Sequence, residues 1–385
     1  MYKFKILTTV DSSMWDNDLT KSNYATFFQT TNYLNSNSND HFPVFIYVLD
    51  QDGNVMGQLG LRIIKTVVRY SSPFFRRLLH LISSITSRGI WLDGPIIHTN
   101  DKNTRLEILQ KMMEAIKVVS DKYDLVHIEG YTPGYDLMID DNYKKILSKN
   151  NFIIQDYVTF ILDMKKNIDD IWSDLPKRLK QDINRAKRRN ISIKQLEIYD
   201  DLKQYLILAQ EWATTKGIVN STPIEDIESL WADHKSKMSK FFLAYQDNEL
   251  ISGLQVIFFN RIVQPNEVIS SYSKPTSLGG TLLTWTSIEW AKTVNALVYD
   301  FTGGKKEIVQ NNSTINDENN KNSLLYYKSK WSGQEMSQYN LIIIRKKLYY
   351  KIYQILFSIV RKYHNLRMKQ NKYKKDKTIS NATLD

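Results

Sequence analysis

The side-chain inventory of this chain removes several chemistries before any element is placed. It has no cysteine, so thiol nucleophiles, disulfides and cysteine-ligated zinc are excluded together. Its six histidines, His41, His80, His98, His127, His234 and His364, show neither HxxxH nor HxH spacing, which argues against a histidine-built metal site. No Gly-x-Ser-x-Gly elbow, Walker-type loop or GxGxxG turn occurs. Positive charge is what remains conspicuous. Between Pro176 and Arg189 seven basic residues, Lys177, Arg178, Lys180, Arg185, Lys187, Arg188 and Arg189, meet one acid, Asp182. Such a run is either an anion-binding surface or the solvated face of a helix, and the residue types leave both open.

The chain carries 52 Lys+Arg against 41 Asp+Glu over 385 residues, net +11. Leu341 to Asp385 alone holds 12 Lys+Arg and 2 Asp+Glu, net +10, so the first 340 residues are almost neutral at +1. The reading of another class is a non-catalytic nucleic-acid- or membrane-binding module that works through the basic helix and tail, and the almost neutral first 340 residues count against it. An acid at Asp11 interrupts the amino-terminal apolar stretch, and the chain reads as a cytoplasmic protein or one at the inner face of the membrane. The longest apolar run, Leu348 to Val360, is 13 residues and contains Lys351 and Gln354, short of the roughly 18 that a spanning helix needs. Flanked by Arg345, Lys346 and Lys347 and by Arg361, Lys362, Arg367 and Lys369, it reads in two ways. It is a helix lying on an anionic membrane through residues 345–377, or a last packed helix followed by a solvated basic tail.

The elements that must position any site are written as a repeat. Apolar runs Phe45–Leu49 and Val55–Ile64 flank Asp50-Gln51-Asp52-Gly53-Asn54, a hairpin signal. Phe241–Tyr245 and Leu250–Phe259 flank Gln246-Asp247-Asn248-Glu249 in the same way. Each hairpin leads to one helix and one strand. Leu106, Leu109, Met113, Ile116 and Val119 precede Leu125–Ile128, and Leu282, Trp285, Ile288, Ala291 and Val294 precede Leu297–Phe301. With 42% apolar residues and a length suited to two domains, the order predicts an α/β (α+β) fold of two similar units. They are residues 1–165 and 166–340, each a mixed, mainly antiparallel sheet flanked by helices, followed by a basic amphipathic helix and tail over 341–385. Similar half-chains usually enclose a site at their junction. Between them, Ile171, Trp172, Leu175, Leu179, Ile183 and Ala186 make an apolar stripe that the basic run decorates. The polar stretch Lys305 to Ser323 reads as a mobile loop.

Trp172-x-x-Leu175 and Lys180-x-x-Ile183-x-Arg185-Ala186-x-Arg188-x-x-Ile191 resemble the linker helix of the Fem-type (FemABX) aminoacyltransferases, which extend peptidoglycan stem peptides from aminoacyl-tRNA. Further segments look like that family in the required order. They are Trp15 with Phe27-Phe28-Gln29-Thr30, Ser271-Tyr272-Ser273, Leu282-Leu283-x-Trp285-x-x-Ile288-x-Trp290-Ala291, Tyr299-Asp300-Phe301-Thr302-Gly303-Gly304, and Leu324-Leu325-Tyr326-Tyr327-Lys328-x-Lys330-Trp331-x-Gly333. Together they cover most of Trp15 to Gly333. The resemblance implies twin GNAT-like (acetyltransferase-like) domains, in agreement with the repeat. Only 51 residues separate Arg189 from Phe241, so the long helical arm of some members is absent or very short.

The resemblance also implies a reaction. An acyl group passes from an activated ester to an amine of a cell-envelope or lipid-linked precursor, with no metal, prosthetic group or covalent intermediate. Aminoacyl-tRNA is the implied co-substrate. Lys328 is implied to meet developing negative charge, and Lys180 and Arg185 to bind phosphate or carboxylate of the acceptor. Tyr272 and Tyr327 are implied to contact substrate, Asp300 to act as base or amine-orienting group, and Gly303 and Gly304 to allow close backbone approach or positive φ. The same fold hosts acyl-CoA-dependent N-acyltransferases of amino sugars or polysaccharide precursors. The turn Lys274-Pro-Thr-Ser-Leu-Gly279-Gly280-Thr281 is a degenerate form of their pyrophosphate loop, which makes acyl-CoA the second donor. Asn32–Asp40 lacks the basic residue that members acting on peptidoglycan precursors often carry there.

Overall fold

Short polar turns set the register of the sheet. In a computed structural model that describes residues 2–36, 41–65, 86–216, 224–271, 277–306 and 324–359, both hairpins form where their turn residues stand. Asp50 accepts from the amides of Asp52 and Asn54, and Gly53 takes φ +86°. In the second hairpin Asp247 (φ +51°) and Asn248 (φ +62°) supply a left-handed pair, which matches the twist of the flanking strands.

The first half contributes β1 (Lys3–Leu7), β2 (His41–Leu49), β3 (Val55–Ile64), β4 (Arg88–Trp91), β5 (Ile96–Ile97), β6 (His127–Tyr131) and β7 (Ile153–Asp163). The second half contributes β8 (Ser192–Gln195), β9 (Ser239–Gln246), β10 (Glu249–Phe259), β11 (Ile262–Ser270), β12 (Val298–Asp300), β13 (Gly304–Lys305) and β14 (Gln334–Ile344). All belong to one sheet, in the order β1-β2-β3-β4-β6-β14-β7-β12-β11-β10-β9-β8, with β5 on β3 and β13 on β7. Pairing is antiparallel except at one place in each half. β4 runs parallel to β6 across the helix Lys102–Lys122, and β11 runs parallel to β12 across the helix Ser277–Thr293. The repeat of hairpin, helix and strand is therefore structural.

The halves are interlocked rather than merely adjacent. β14, late in the chain, lies between β6 and β7, pairing Leu341 with Gly130 on one side and Ile154 on the other. Its Tyr339 and Leu341 complete the apolar core around Trp91 and Met113. In return β7 pairs with β12, and its Val158, Phe160 and Leu162 pack with Tyr299 and Phe301 in the second core. A boundary at residue 340 would cut β14, and the helix predicted from Leu341 starts only at residue 347.

Pro176 interrupts the linker helix, leaving Ile168–Asp174 and Lys177–Arg188. Ile171, Leu179, Ile183 and Ala186 are buried against the helix Ser277–Thr293, each large aliphatic side chain contributing about 1.5–3 kcal/mol, and Trp172 meets Trp285 edge-on at 4.9 Å. Among the described residues of 190–240, the helices Tyr199–Lys216 and Ile227–Lys235 pack on the β9–β11 region. The helix 347–359 rests Tyr350 and Tyr353 on His127, with ring centroids 4.9 and 4.8 Å apart, and exposes Leu348, Ile355, Phe357 and Ile359. Among the described residues no helix is long and apolar enough to cross a membrane. Most of the basic tail, residues 360–385, and most of the Lys305–Ser323 loop lie outside the described residues.

Candidate functional site

Polar side chains in strand interiors need partners, and those of β7, β11, β12 and β14 find them at the joint between the halves. There a cavity of about 310 Å³ is lined by Phe28, Leu92, Asp93, Tyr131, Tyr157, Gln264, Asn266, Asp300, Thr302, Gly303 and Gln338. Asp300 ends β12. Its Oδ1 accepts from the Thr159 hydroxyl on β7 and from the Thr302 amide (2.9 Å), which turns the chain at once. Thr302 takes the left-handed conformation of this turn at φ +63°.

Asp93 comes from the other half, in the turn that follows β4. The turn is pinned from several sides: Trp91 Nε1 donates to Gly94 O at 3.0 Å, Gly94 N to Tyr131 O at 3.0 Å, and Gln29 Nε2 to Leu92 O at 2.6 Å. Asp93 itself is left-handed, φ +49°. Its Oδ2 accepts from the Thr26 hydroxyl at 2.8 Å and from Gln264 Nε2 at 3.1 Å, and its Oδ1 accepts from Gln338 Nε2 at 3.3 Å. Gln264 Nε2 also donates to Asp300 Oδ2 at 3.1 Å, so one amide group bridges two carboxyls from opposite halves. No Lys or Arg is bonded to either carboxyl among the described residues. Burial pushes the Asp93 carboxyl up to about 7, and the neighbouring Asp300 charge adds to the rise, against the hydrogen bonds from Gln264 and Thr26. Burial likewise raises Asp300, opposed by Thr159, Thr302, Gln264 and then Lys328.

Lys328 stands one residue behind this wall, on the helix Leu324–Ser329. Its Nζ donates to Thr302 O and Thr302 Oγ1, both at 2.9 Å. Burial brings its ammonium down to about 8, with the Asp300 charge working the other way. Gly303 lines the cavity by close approach, for a Cβ there would lie 1.8 Å from Gln338 Oε1. Neither Gly303 nor Gly304 has positive φ; that conformation falls on Thr302. Gly304 pairs with Val158 on β7, and Tyr327 turns its hydroxyl to Thr284 Oγ1 at 3.1 Å. Lys180 donates to Ser173 O at 3.0 Å, Arg185 approaches Asp182 at 3.7 Å on the solvent face of its helix, and neither lines the cavity. Tyr272 lies outside the described residues.

The structure thus joins Asp300 and Gly303, with Lys328 directly behind, and adds Asp93, Gln264, Gln338, Thr26 and Thr159. The signal for these was available only at Asp93, which precedes a Gly-Pro turn at a strand end, whereas Gln264 and Gln338 stand among other polar residues of their strands.

No protein-family model matches the chain, and no curated protein matches its sequence. Solved structures match by fold. FemX aligns with a TM-score of 0.66 at 13% identity, over 92% of this chain and 100% of that one. L-PGS from Bacillus licheniformis aligns with 0.55 at 12% identity, over 93% and 98%. A tandem GNAT protein from the clavulanic acid biosynthesis pathway aligns with 0.51 at 11% identity, over 89% and 98%. The chain has the Fem-type, twin GNAT-like fold that its repeat and motifs predict.

Proposed function

We propose that this chain is an acyltransferase that moves an aminoacyl group from aminoacyl-tRNA to an amine of a cell-envelope or lipid-linked precursor at the inner face of the membrane. The observation that carries the reading is the polar cavity at the joint of a twin GNAT-like fold, with Asp300 in its wall and the Lys328 cation held at Thr302. Likeness of fold to FemX and L-PGS supports it. The amine attacks the ester carbonyl, the C–N bond forms, and the ribose oxygen leaves with a proton. In this reading Lys328 supplies positive charge to the developing oxyanion, Asp300 orients the amine, and Gly303 admits the substrate backbone. The exposed basic face of Lys177–Arg188, including Lys180 and Arg185, takes tRNA phosphates. Tyr272 and Tyr327 remain assigned to acceptor contact and to backing the site.

The helix 347–359 suits a lipid-linked acceptor, because its exposed Leu348, Ile355 and Ile359 share the helix with Lys347 and Lys351. Sedimentation with anionic vesicles but not with neutral ones is the expected behaviour, and Leu348→Glu with Ile355→Glu should abolish it.

Mass spectrometry of reactions containing charged tRNA and a panel of lipid-linked amines should reveal acylated product, and Lys328→Ala should slow its formation at least tenfold. Wild-type turnover by Lys328→Ala removes that residue from the mechanism. Likeness to the tandem GNAT protein keeps acyl-CoA as the other donor. Absence of transfer from tRNA together with stabilisation by millimolar CoA would move the donor there, and absence of transfer from both donors refutes the acyltransferase reading.

A further inference from the structure

The cavity holds two carboxyl groups and, among the described residues, no cation bonded to either, an arrangement that folding alone does not explain. Burying a carboxylate against neutral donors is unfavourable, and burying two that share a single amide is more so. Each hydrogen of the Gln264 amide is committed, one to Asp93 and one to Asp300. Gln338 Nε2 is similarly divided between Asp93 Oδ1 and Thr132 O, at 3.3 and 2.9 Å. The donors are therefore spent, whereas Asp93 lines the cavity and its Oδ1 has, among the described residues, only the long Gln338 contact. Asp300 has a firmer environment, with Thr159 and Thr302 on one oxygen and the Lys328 charge behind it.

We propose that Asp93 is the catalytic proton acceptor of this site, acting beside Asp300 to which Gln264 links it, and that the acceptor substrate is a primary amine that enters as its ammonium ion. The inference rests on the acyltransferase reading and names the substrate class it leaves open. The ammonium docks in the cavity against Asp93, in a wall that also includes Phe28, Tyr131 and Tyr157. One N–H proton passes to Asp93, leaving a neutral amine with a free lone pair. That lone pair attacks the ester carbonyl as the C–O bond to the ribose breaks. A second N–H proton goes to the departing ribose oxygen, and Asp93 returns its proton to solvent. The balance is one ammonium and one ester in, one amide, one alcohol and one proton out. Burial holds Asp93 up to about 7, and the groups that face the two carboxyls are Tyr131, Tyr157 and, through Thr302, Lys328.

The kcat/KM of the full chain should fall on the acid side with a midpoint near pH 7, the position of Asp93. Asp93→Asn should lower kcat at least a hundredfold and lose that limb, whereas Asp93→Glu should restore part of the rate. A second readout needs no turnover: carboxyl-carbon NMR of the resting protein should show a titration near pH 7 that Asp93→Asn removes. Ethanolamine should shift that resonance in wild type and not in the variant. Should Asp93→Asn fail to fold, Gln264→Leu decides, because removing a donor to both carboxyls should move the midpoint upward. Full activity of Asp93→Asn with an unchanged acid limb overturns the proposal, as does a wild-type carboxyl that titrates only near pH 4 or a midpoint unmoved by Gln264→Leu. Failure of the acyltransferase reading looks different: no product with any donor, while the NMR titration and its response to ethanolamine persist.

Discussion

The first half of this protein buries two aspartates whose surroundings are opposite. Asp136 meets Arg105 Nη2 at 2.6 Å, and both side chains are almost inaccessible, at 1% and 2% exposure. Arg105 also donates to the Tyr24 hydroxyl and to Thr99 O, so the guanidinium ties the start of its helix to the loop after β6. Asp93 has hydroxyl and amide donors only, faces a cavity, and has another carboxyl as its nearest charged companion. A carboxylate paired with a guanidinium is satisfied by the fold. One left with neutral donors beside open space is held ready for a positive group from outside.

Removing a partner should separate the two sites most sharply. Arg105→Met strands the Asp136 charge in the core and should cost about 3–5 kcal/mol in urea unfolding, by the usual penalty for breaking a buried pair. A loss below about 1 kcal/mol would mean that the pair is not what holds the loop after β6.

Asp93 should behave in the reverse sense. Its folded value, about 7, lies above the ordinary 3.8, so the folded state keeps a proton that the unfolded chain releases. This contribution is fully present below about pH 4 and is lost as the pH rises to about 7, by up to roughly 4 kcal/mol. Asp93→Asn removes the dependence. The variant's stability relative to wild type should therefore rise between pH 4 and 7 and level off above; parallel profiles for the two proteins would show that Asp93 ionises freely.

The same contrast explains what the sequence disclosed. The hairpin turns at Gly53 and Asp247–Asn248, and the buried stripe of Lys102–Lys122, are local patterns and were legible. Asp300 was legible because a strand end before Gly303-Gly304 is also local. Asp93 was not, since its donors lie 67, 171 and 245 residues away, at Thr26, Gln264 and Gln338. Insertion of β14 between β6 and β7 brings Gln338 to it, β11 carries Gln264 and the segment before Phe27 carries Thr26, and no periodicity records any of these approaches. The basic run of the linker helix was the loudest signal, yet its cations point to solvent because the opposite face carries Leu179, Ile183 and Ala186.

Gly303→Ala tests the cavity without touching a charge. The new methyl must displace the Gln338 amide, the far end of a flexible side chain, and with it the donor to Asp93. Stability should fall by about 1–3 kcal/mol, since the amide also leaves Thr132 O, while turnover falls roughly tenfold. Unchanged turnover would show that Gln338 does not govern the carboxyl it touches.

The smallest effect should come from the linker helix. Arg185 is half-exposed and 3.7 Å from Asp182, an interval at which a surface pair contributes little. Arg185→Ala should leave stability within about 0.5 kcal/mol. If the solvated basic face meets tRNA phosphates, its deletion should raise the KM for charged tRNA a few-fold, reduce the salt dependence of that KM and leave kcat alone, because a phosphate contact positions the donor without entering the transition state. A fall in kcat at unchanged KM would place Arg185 with the reacting groups instead. That outcome would require the face of Lys177–Arg188 to reach the cavity, from whose lining both Lys180 and Arg185 are absent in the resting protein.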